Sequence, residues 1–378
     1  MRIAVIEPVG GHGGMDYYDF GLCKGLHVAG SNPILYTSDV TTVPERLPFE
    51  CKLLFKGIFG SSNKILRAGR YLSGLLLSLL DARRERCEVV HLHFFHCGFM
   101  ELATVGLVKA LGFQLVITAH DVESFSGSGS VAHARRIYAA ANRVIVHNQV
   151  SHSEVVEKLG VCVDLVDIVP HGNYLDSLRS NASRAEAKSS LGLEDSARVV
   201  LFFGQIKAVK GLDLLLSAFK LVVEVVPNAL LVIAGKVWKD DFSQYLGLIN
   251  ELGLSGNVHL DIRYISDVEA ELYYKSAEVV ALPYRKIYQS GVLLMAMSHE
   301  RLVVTSDLPG MAEIVVDGQN GLMFPSGEAG ALADRLVEAL CSPSRDLIAR
   351  RGHQLMKANF AWADIGTRTI EAYRKALA

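Results

Sequence analysis

Short runs of aliphatic and β-branched residues alternate with longer amphipathic segments through the first half of the chain. The first run covers residues 2–7, and similar runs follow at residues 33–37, 88–93, 114–118, 143–147 and 164–169. This alternation is typical of a parallel sheet whose strands are joined by crossover helices. The pattern therefore predicts an α/β fold with about six parallel strands in this half.

The alternation stops after Pro170, where a polar, turn-rich stretch without an apolar run follows. It starts again at residues 198–203, with further runs at residues 229–234, 258–260, 279–282 and 302–305. Such a pause is typical of a domain boundary. We therefore predict two α/β domains that face each other across a cleft. The predicted boundaries are residues 1–172 for the first domain, 173–196 for a linker and connecting helix, 197–358 for the second domain and 359–378 for a final helix.

Composition and charge narrow the classes of protein that this chain can belong to. The chain has 378 residues, 50% of them hydrophobic, which is enough for two cores. Its 38 basic and 40 acidic residues give a formal charge of −2, so nucleic acid is not expected as a partner. The six scattered cysteines favour a reducing compartment. The first residues lack the features of a signal peptide, and we therefore expect a cytoplasmic protein.

A basic amphipathic segment at residues 61–86 leaves two interpretations open. It carries Lys64, Arg67 and Arg70 beside an apolar run at residues 71–80, which is too short to span a membrane. Such a helix can lie on an anionic surface, which would place the protein peripherally on the inner face of the membrane. A core helix with a solvated basic edge is the other interpretation.

The glycine-rich loop GGHGG at residues 10–14 follows the first apolar run and precedes a helical segment. Nucleotide-binding folds begin in this order. A dinucleotide fingerprint is disfavoured because Asp16 occupies the third glycine position, where its charge would oppose a pyrophosphate. A loop that lets a substrate approach the backbone, or a tight turn, fits the glycines better.

Three histidines, His91, His93 and His96, stand at the end of the run at residues 88–93. They suggest a metal site, but alternate residues of a strand point the same way and no carboxylate stands at ligand spacing. Histidines that line a polar cleft are the alternative. The next run brings His120 and Asp121 to the same edge of the sheet.

In the second half, three loops follow strands of one domain. The first contains Lys207 and Lys210, the second contains Gly235, and the third leads into a helix that opens at Ser290 and Gly291. Lysines and a helix N-terminus at the carboxyl ends of strands favour a phosphorylated ligand. For each loop taken alone, an ordinary crossover with solvated lysines is the alternative.

Five motifs stand at these strand ends. They are GQIKAVKG at 204–211, AEVVALPY at 277–284, GMAEIVVDGQNGLMF at 310–324, the glycine loop at 10–14 and VITAHD at 116–121. The first three are similar to the forms G-R-L-x-x-x-K-G, A-D-x-x-x-x-P-S and G-x-x-E-I-V-x-D-G-x-N-G-L-L-F of the retaining glycosyltransferases of family four. The last two resemble the family's acceptor-side glycine loop and its T-x-H-D element. The resemblance covers essentially the whole chain. It implies the GT-B architecture of two Rossmann-like domains, with a C-terminal helix that crosses back to the first domain.

The resemblance also implies roles for the matching residues. Lys210 would hold the donor diphosphate, His120 would lie beside the donor sugar, and these two would carry catalysis. The other donor-binding residues would be Gly13 and Gly14 beside the phosphates, Gln205, Lys207 and Gly235 in the phosphate loops, Arg263, Tyr264 and Ile265 near the base, and Tyr288, Gln289, Ser290 and Gly291 near the sugar and distal phosphate. The acceptor side would include His12, Asp16 and His93.

The chain departs from the family pattern at several of these positions. Ile287 and Met295 stand where the family has paired glutamates, and Gln205 stands where it has an arginine. His299 and Glu300 replace a usual Cys-Gly pair. We expect Tyr288 and Gln289 to hydrogen-bond sugar hydroxyls instead, and Lys207 or Arg285 to restore the missing charge.

The function implied by the resemblance is that of a hexosyltransferase active in polysaccharide biosynthesis. It would move a sugar from a nucleotide-sugar donor to a glycan or lipid-linked glycan acceptor, with retention of anomeric configuration and without a metal or other cofactor. The missing glutamates leave an alternative, a catalytically silent nucleotide-sugar-binding protein or partner subunit.

Overall fold

A computed structural model describes residues 1–11, 14–60, 63–122, 130–238 and 241–378. The chain divides into two compact units. Unit 1 comprises Met1–Gly172 and Phe360–Ala378, and unit 2 comprises Asn173–Asn359. No helix within the described ranges is long and apolar enough to cross a membrane.

Unit 1 is built on a seven-stranded sheet in the order β3-β2-β1-β4-β5-β6-β7, and every pairing is parallel. Its strands are β1 (Arg2–Glu7), β2 (Asn32–Ser38), β3 (Glu50–Phe55), β4 (Val89–Phe94), β5 (Gln114–Ala119), β6 (Arg143–Val146) and β7 (Val166–Ile168). β1 and β4 are buried over most of their length, as expected for central strands covered on both faces.

Helices cover the sheet of unit 1. They are α1 (Met15–Val28), α2 (Lys64–Arg84), α3 (Phe99–Ala110), α4 (Val131–Ala140), α5 (Gln149–Glu157) and α14 (Trp362–Leu377). The C-terminal helix α14 packs on α1, which confirms the predicted return of the chain to the first domain. The indole of Trp362 fills the space beside Gly21 and Gly172, where a Cβ atom would overlap it. Glycine at these positions therefore lets the last helix approach closely.

Unit 2 contains a six-stranded parallel sheet in the order β10-β9-β8-β11-β12-β13. Its strands are β8 (Arg198–Phe203), β9 (Ala229–Ala234), β10 (Val258–Asp261), β11 (Val279–Leu282), β12 (Leu302–Ser306) and β13 (Leu322–Phe324). Its helices are α6 (Arg184–Ser190), α7 (Leu212–Val225), α8 (Ser243–Glu251), α9 (Asp267–Ser276), α10 (Gly291–Ser298), α11 (Pro309–Ala312), α12 (Ala329–Cys341) and α13 (Arg345–Asn359).

The order of strands in unit 2 determines where a ligand can bind. β8 lies between β9 on one side and β11 on the other. The connection after β8 therefore runs to one side of the sheet, and the connection after β11 runs to the opposite side. In open α/β sheets, the two loops at such a reversal run in opposite directions, which leaves a crevice at the carboxyl ends of the strands. In unit 2 these are the loop at residues 204–211 and the loop at residues 283–290, which we call the switch loops.

Candidate functional site

Glycines bring the loops at the carboxyl ends of β8 and β9 into direct contact. A Cβ atom on Gly235 would overlap the carbonyl oxygen of Gly204, and Gly235 adopts a φ of 147°. The amide of Gly204 donates to the Ala234 carbonyl at 2.9 Å. Gly211, with a φ of 69°, lies so close to the Pro283 carbonyl that a side chain would not fit. The switch loops are therefore held together by backbone contacts that only glycine allows.

Lys210 belongs to the first switch loop, and its side chain reaches Tyr284 of the second. Its ammonium nitrogen is 5.5 Å from the ring centroid of Tyr284, which is buried. No carboxylate pairs with Lys210 among the described residues. Desolvation of the ammonium group, together with the charge of Lys207, lowers its pKa to about 8. A half-buried cation without a counter-ion is a site prepared for an anion.

The N-terminus of α10 lies at the end of the second switch loop. The Ser290 hydroxyl oxygen caps the helix by accepting from the Leu293 amide at 3.2 Å. A Cβ atom on Gly291 would lie 2.9 Å from the Tyr174 hydroxyl oxygen, so a larger residue would crowd this end of the helix. The first turn of a helix presents backbone N–H groups and the positive end of its dipole, which favour a phosphate. Lys210 and α10 thus supply two features that attract anions.

The two residues expected to restore the missing charge, Arg285 and Lys207, both make other contacts. The Arg285 guanidinium makes a two-pronged ion pair with Asp213, at 2.7 and 2.6 Å, and also donates to the Ala208 carbonyl. The expectation that Arg285 replaces the missing arginine charge is therefore wrong, because its charge is already paired. Lys207 lies over the Trp238 ring, with its nitrogen 5.1 Å from the centroid. Gln205 is exposed on the same loop.

The residues predicted near the base follow β10. Arg263 pairs with Glu269 at 2.7 Å, Tyr264 is exposed, and Ile265 is buried. In the second switch loop, Tyr288 is buried and Gln289 is half-buried. The substituted family positions Ile287 and Met295 are half-buried too. No carboxylate is supplied at either position.

The end of α10 explains one departure from the family pattern. Glu300 adopts a φ of 55°, in the left-handed region that favours glycine. The family's usual glycine matches this backbone, and the chain keeps the conformation with a non-glycine residue. His299 is buried and stacks on Tyr274 at 5.0 Å between ring centroids.

In unit 1, histidines end four successive strands. His93, His120, His147 and His171 stand at or just after the carboxyl ends of β4, β5, β6 and β7, and the Tyr18 ring contacts all four edge-on. His93 Nδ1 lies 3.2 Å from His120 Nε2, and His120 Nδ1 lies 3.2 Å from His147 Nε2. We call these three the histidine row.

His120 has both ring nitrogens engaged by the histidine row. A hydrogen bond from either nitrogen to a donor sugar would require a neighbour to be displaced. Burial and the adjacent His147 also hold the pKa of His120 well below its usual value, so the ring is neutral. The role of His120 beside the sugar therefore stays a prediction.

The other two histidines of the HLHFFH motif are placed apart. His91 bonds to the Tyr373 hydroxyl and to the Thr118 hydroxyl, each at 2.7 Å, and so helps to hold α14 on the sheet. His96 is exposed and pairs with Glu101 at 3.3 Å. The three histidines of this motif therefore have separate partners and do not form one site.

Carboxylates from outside the motif approach His93. Ligand atoms of Glu7, Asp19 and His93 all lie within 4.8 Å of one another, and all three residues are buried. The expectation that no carboxylate stands at ligand spacing holds for neighbours in sequence only and is wrong in space, because Glu7 comes from β1 and Asp19 from α1.

Asp16 secures the glycine-rich loop. Its carboxylate oxygen accepts from the Gly11 amide at 2.7 Å and from the Thr41 hydroxyl at 3.3 Å. Gly14 forms the N-cap of α1 with a φ of 82°, and the space around it is open. His12 and Gly13, predicted to bind acceptor and donor, lie outside the described residues.

Comparison with known families accounts for most of the chain. Residues 12–176 match the family described as Glycosyltransferase Family 4, and residues 197–342 match the family described as Glycosyl transferases group 1. The chain is a glycosyltransferase of the family 4 type.

Solved structures show that this glycosyltransferase has the GT-B fold. The sucrose-phosphate synthase of Thermosynechococcus elongatus superposes with a TM-score of 0.79 at 20% identity, over 99% of this chain and 98% of the other. Anabaena HepE, in complex with UDP and glucose, superposes with a TM-score of 0.78 at 18% identity, over 99% of both chains.

Relatives in sequence include two D-inositol 3-phosphate glycosyltransferases. The protein from Segniliparus rotundus is 25% identical over 81% of this chain and 70% of its own length. The protein from Pseudarthrobacter chlorophenolicus is 25% identical over 97% of this chain and 91% of its own length.

Sequence reasoning missed several residues of this glycosyltransferase's unit 1. His147 was placed at the end of a predicted strand and His171 in the polar stretch after Pro170, and neither was given a role, although all four histidines stand at or shortly after a predicted strand end. Glu7, Tyr18 and Asp19 gave no local signal. Glu7 comes near His93 because β1 and β4 are parallel neighbours in the sheet.

Proposed function

We propose that this glycosyltransferase transfers a hexosyl group from a nucleotide-sugar donor, with retention of configuration at the anomeric carbon. The observation that carries the proposal is the Lys210 ammonium group, which no carboxylate of the described residues pairs and which lies against the second switch loop, near the start of α10. Relatives of the same fold bind such ligands: HepE is solved with UDP-glucose, and a starch synthase IV from Arabidopsis thaliana is solved with ADP and acarbose.

In the proposed reaction, the donor diphosphate is the leaving group. Negative charge grows on its oxygens as the glycosidic bond breaks, and Lys210 with the amides of Ser290 and Gly291 stabilises that charge. Gly204 and Gly235 let the phosphates approach the backbone. This arrangement needs no metal ion at the diphosphate, because a fixed cation and a helix N-terminus provide the positive potential.

Tyr288 and Gln289 are the proposed substitutes for the missing glutamates. They belong to the loop that precedes α10, in the same segment as Ile287. Neutral hydrogen bonds are weaker than bonds to a carboxylate, so we expect slower turnover than a glutamate-bearing relative would show. Residues 263–265 are proposed to lie beside the base, at the carboxyl end of β10.

A glycan carried on a membrane lipid is the acceptor that we propose for unit 1. On α2, six large apolar side chains are 41–81% exposed, namely Ile65, Leu66, Leu72, Leu76, Leu77 and Leu80. At 100° per residue they span an arc of roughly 140° opposite the buried face. We call this the apolar stripe of α2. Lys64 and Arg67, at the start of the helix, supply positive charge for anionic lipid headgroups.

The test is turnover with a panel of nucleotide sugars, followed by NMR of the anomeric proton in the product. We expect slow hydrolysis or transfer from one donor, with the anomeric configuration of the donor retained. Lys210→Ala should lower kcat/KM by about 100-fold or more, as is usual for loss of a group that stabilises a developing anion. An inverted product would contradict the proposed stereochemistry.

A second candidate is a silent relative that binds a nucleotide sugar without turning it over. The absence of both glutamates, with Ile287 and Met295 in their places, favours it. The same assay separates the two: binding of a nucleotide sugar, with no hydrolysis and no transfer at any donor concentration, would establish the silent relative.

A further inference from the structure

The buried cluster of Glu7, Asp19 and His93 lies in unit 1, and neither Glu7 nor Asp19 is assigned to the donor or the acceptor. Glu7 ends β1, Asp19 lies in the second turn of α1, and His93 lies near the end of β4. All three residues are buried, with 0%, 1% and 5% of their surface exposed, respectively. One ligand atom from each lies within 4.8 Å of the other two.

Four polar atoms of this cluster have no hydrogen-bond partner within the described part of the chain. They are Glu7 Oε2, both carboxylate oxygens of Asp19, and His93 Nε2. The other oxygen of Glu7 accepts from the Val9 amide at 2.7 Å. Buried polar atoms are almost always paired, and a buried unpaired carboxylate is among the most costly exceptions. The cluster therefore lacks a component that would satisfy these atoms.

The histidine row determines which atom of His93 can act as a ligand. His147 Nδ1 lies 2.9 Å from the Val169 carbonyl oxygen, which can only accept, so this nitrogen carries the proton. His147 Nε2 then accepts from His120 Nδ1, and His120 Nε2 accepts from His93 Nδ1. With all three rings neutral, His93 Nε2 is left with a lone pair that points to the two carboxylates. With both carboxylates ionised, the cluster thus consists of three acceptor groups and no donor.

We propose that Glu7, Asp19 and His93 bind a divalent transition-metal ion of the Zn²⁺ or Mn²⁺ type. Two carboxylates balance the charge of a divalent ion, and a mixed set of carboxylate oxygens and one imidazole nitrogen is a usual ligand set for these metals. The His93 Nδ1–H group donates to His120, which is how metal-bound histidines are commonly oriented. The ion would join β1, α1 and β4, so its role is to fix this part of unit 1.

The experiment measures bound metal and thermal stability of the full chain, purified with a tag that contains no histidines. The protein is stripped with a chelator, incubated with Zn²⁺ or Mn²⁺ alone, and dialysed. We expect about one ion per chain by plasma mass spectrometry, and a melting temperature that rises on loading and falls on chelation.

Two conservative variants locate the site. Asp19→Asn and Glu7→Gln keep the size of each side chain and remove a charged ligand. We expect each to weaken binding at least tenfold and to make the melting temperature insensitive to metal. His96→Asn, which alters an exposed histidine beside Glu101, is the matched control and should bind metal like the parent.

Three outcomes would overturn the proposal. The first is that the parent binds neither ion. The second is that Asp19→Asn and Glu7→Gln bind with the parent's stoichiometry and affinity. The third is that the melting temperature of the parent is unchanged by metal but falls as the pH rises from about 4.5 towards 8. That last result would show that a shared proton satisfies the carboxylates, since burial raises the pKa of Glu7 to about 8.

Discussion

Lys210 is the residue on which the proposed donor site depends. Its desolvated position and its neighbour Lys207 both disfavour the charged form, yet no carboxylate of the described chain compensates it. Proteins tolerate such a cation where a ligand supplies the opposite charge. The sequence places Lys210 in the loop after β8, as the structure does, and its contact with a phosphate stays a prediction. The pairing of Arg285 with Asp213 could not be predicted from the sequence.

The lowered pKa of Lys210 predicts a pH dependence of nucleotide binding. Lys210 is protonated below about pH 8 in the free protein and loses its charge above it, so affinity for a nucleoside diphosphate should fall as pH rises. The fall should reach up to about tenfold per pH unit above pH 8. Titration calorimetry between pH 7 and 9.5 measures it. Lys210→Arg keeps its charge throughout and should show no such fall; an identical fall in this variant would exclude Lys210 as its cause.

Arg285 should act by positioning the loop that carries Lys210. Arg285→Ala removes the ion pair with Asp213, which lies just after this loop, and the hydrogen bond to the carbonyl of Ala208, which lies within it. Because the pair is partly exposed, stability should change by no more than about 1 kcal/mol, while nucleotide affinity falls several-fold. Arg335→Ala breaks a comparable pair with Asp317 and serves as the control. Equal effects of both variants on affinity would contradict this role.

At the scale of elements, periodicity predicted the long and central pieces and missed the short ones. β11 and α10 begin where the apolar pattern and Ser290 predict, because buried strands and capped helices leave strong local signals. Neither β3 nor β13 is among the strands that the apolar runs predict. β3 is an edge strand that is only partly buried, and β13 has three residues, so neither has a clear pattern.

The contact between α1 and α14 depends on glycines in a way that the sequence alone does not show. A Cβ atom on Gly25 would overlap the Trp362 carbonyl oxygen, and one on Gly366 would overlap the Gly25 backbone. The last helix can therefore approach only where both helices lack side chains.

Gly25→Ala should destabilise unit 1 by about 1–3 kcal/mol, because the added methyl group meets backbone that cannot rotate away. Gly106→Ala, on α3, has nothing within 4 Å of the added atom and should stabilise by about 0.5–1 kcal/mol through helix propensity. Urea unfolding of both variants measures the difference. If the two substitutions have the same effect, the close packing of α14 on α1 is not as described.

At the scale of the whole molecule, the two families that match successive parts of the chain agree with two Rossmann-like units and the GT-B fold. Motifs at strand ends were enough to predict this. The buried cluster of Glu7, Asp19 and His93 and the histidine row could not be predicted, because they combine β1, α1, β4, β5 and β6, which are distant in sequence. Register and strand order, rather than local pattern, bring these side chains together.

The apolar stripe of α2 predicts binding of the whole protein to membranes. Replacing Leu72, Leu76 and Leu80 together by serine should reduce co-sedimentation with anionic vesicles about tenfold or more, since each loses buried apolar surface. The matched control replaces three exposed valines elsewhere, Val28, Val131 and Val225, by serine. Unchanged sedimentation of the leucine variant would show that the apolar stripe of α2 does not bind membranes.

Binding of a nucleoside diphosphate to unit 2 through Lys210 is best tested by calorimetric titration with UDP, GDP, ADP and dTDP. We expect selective binding of one of these nucleotides by the parent, and binding at least tenfold weaker by Lys210→Ala. Equal affinity of parent and variant, or no binding of any of the four by the parent, would contradict it.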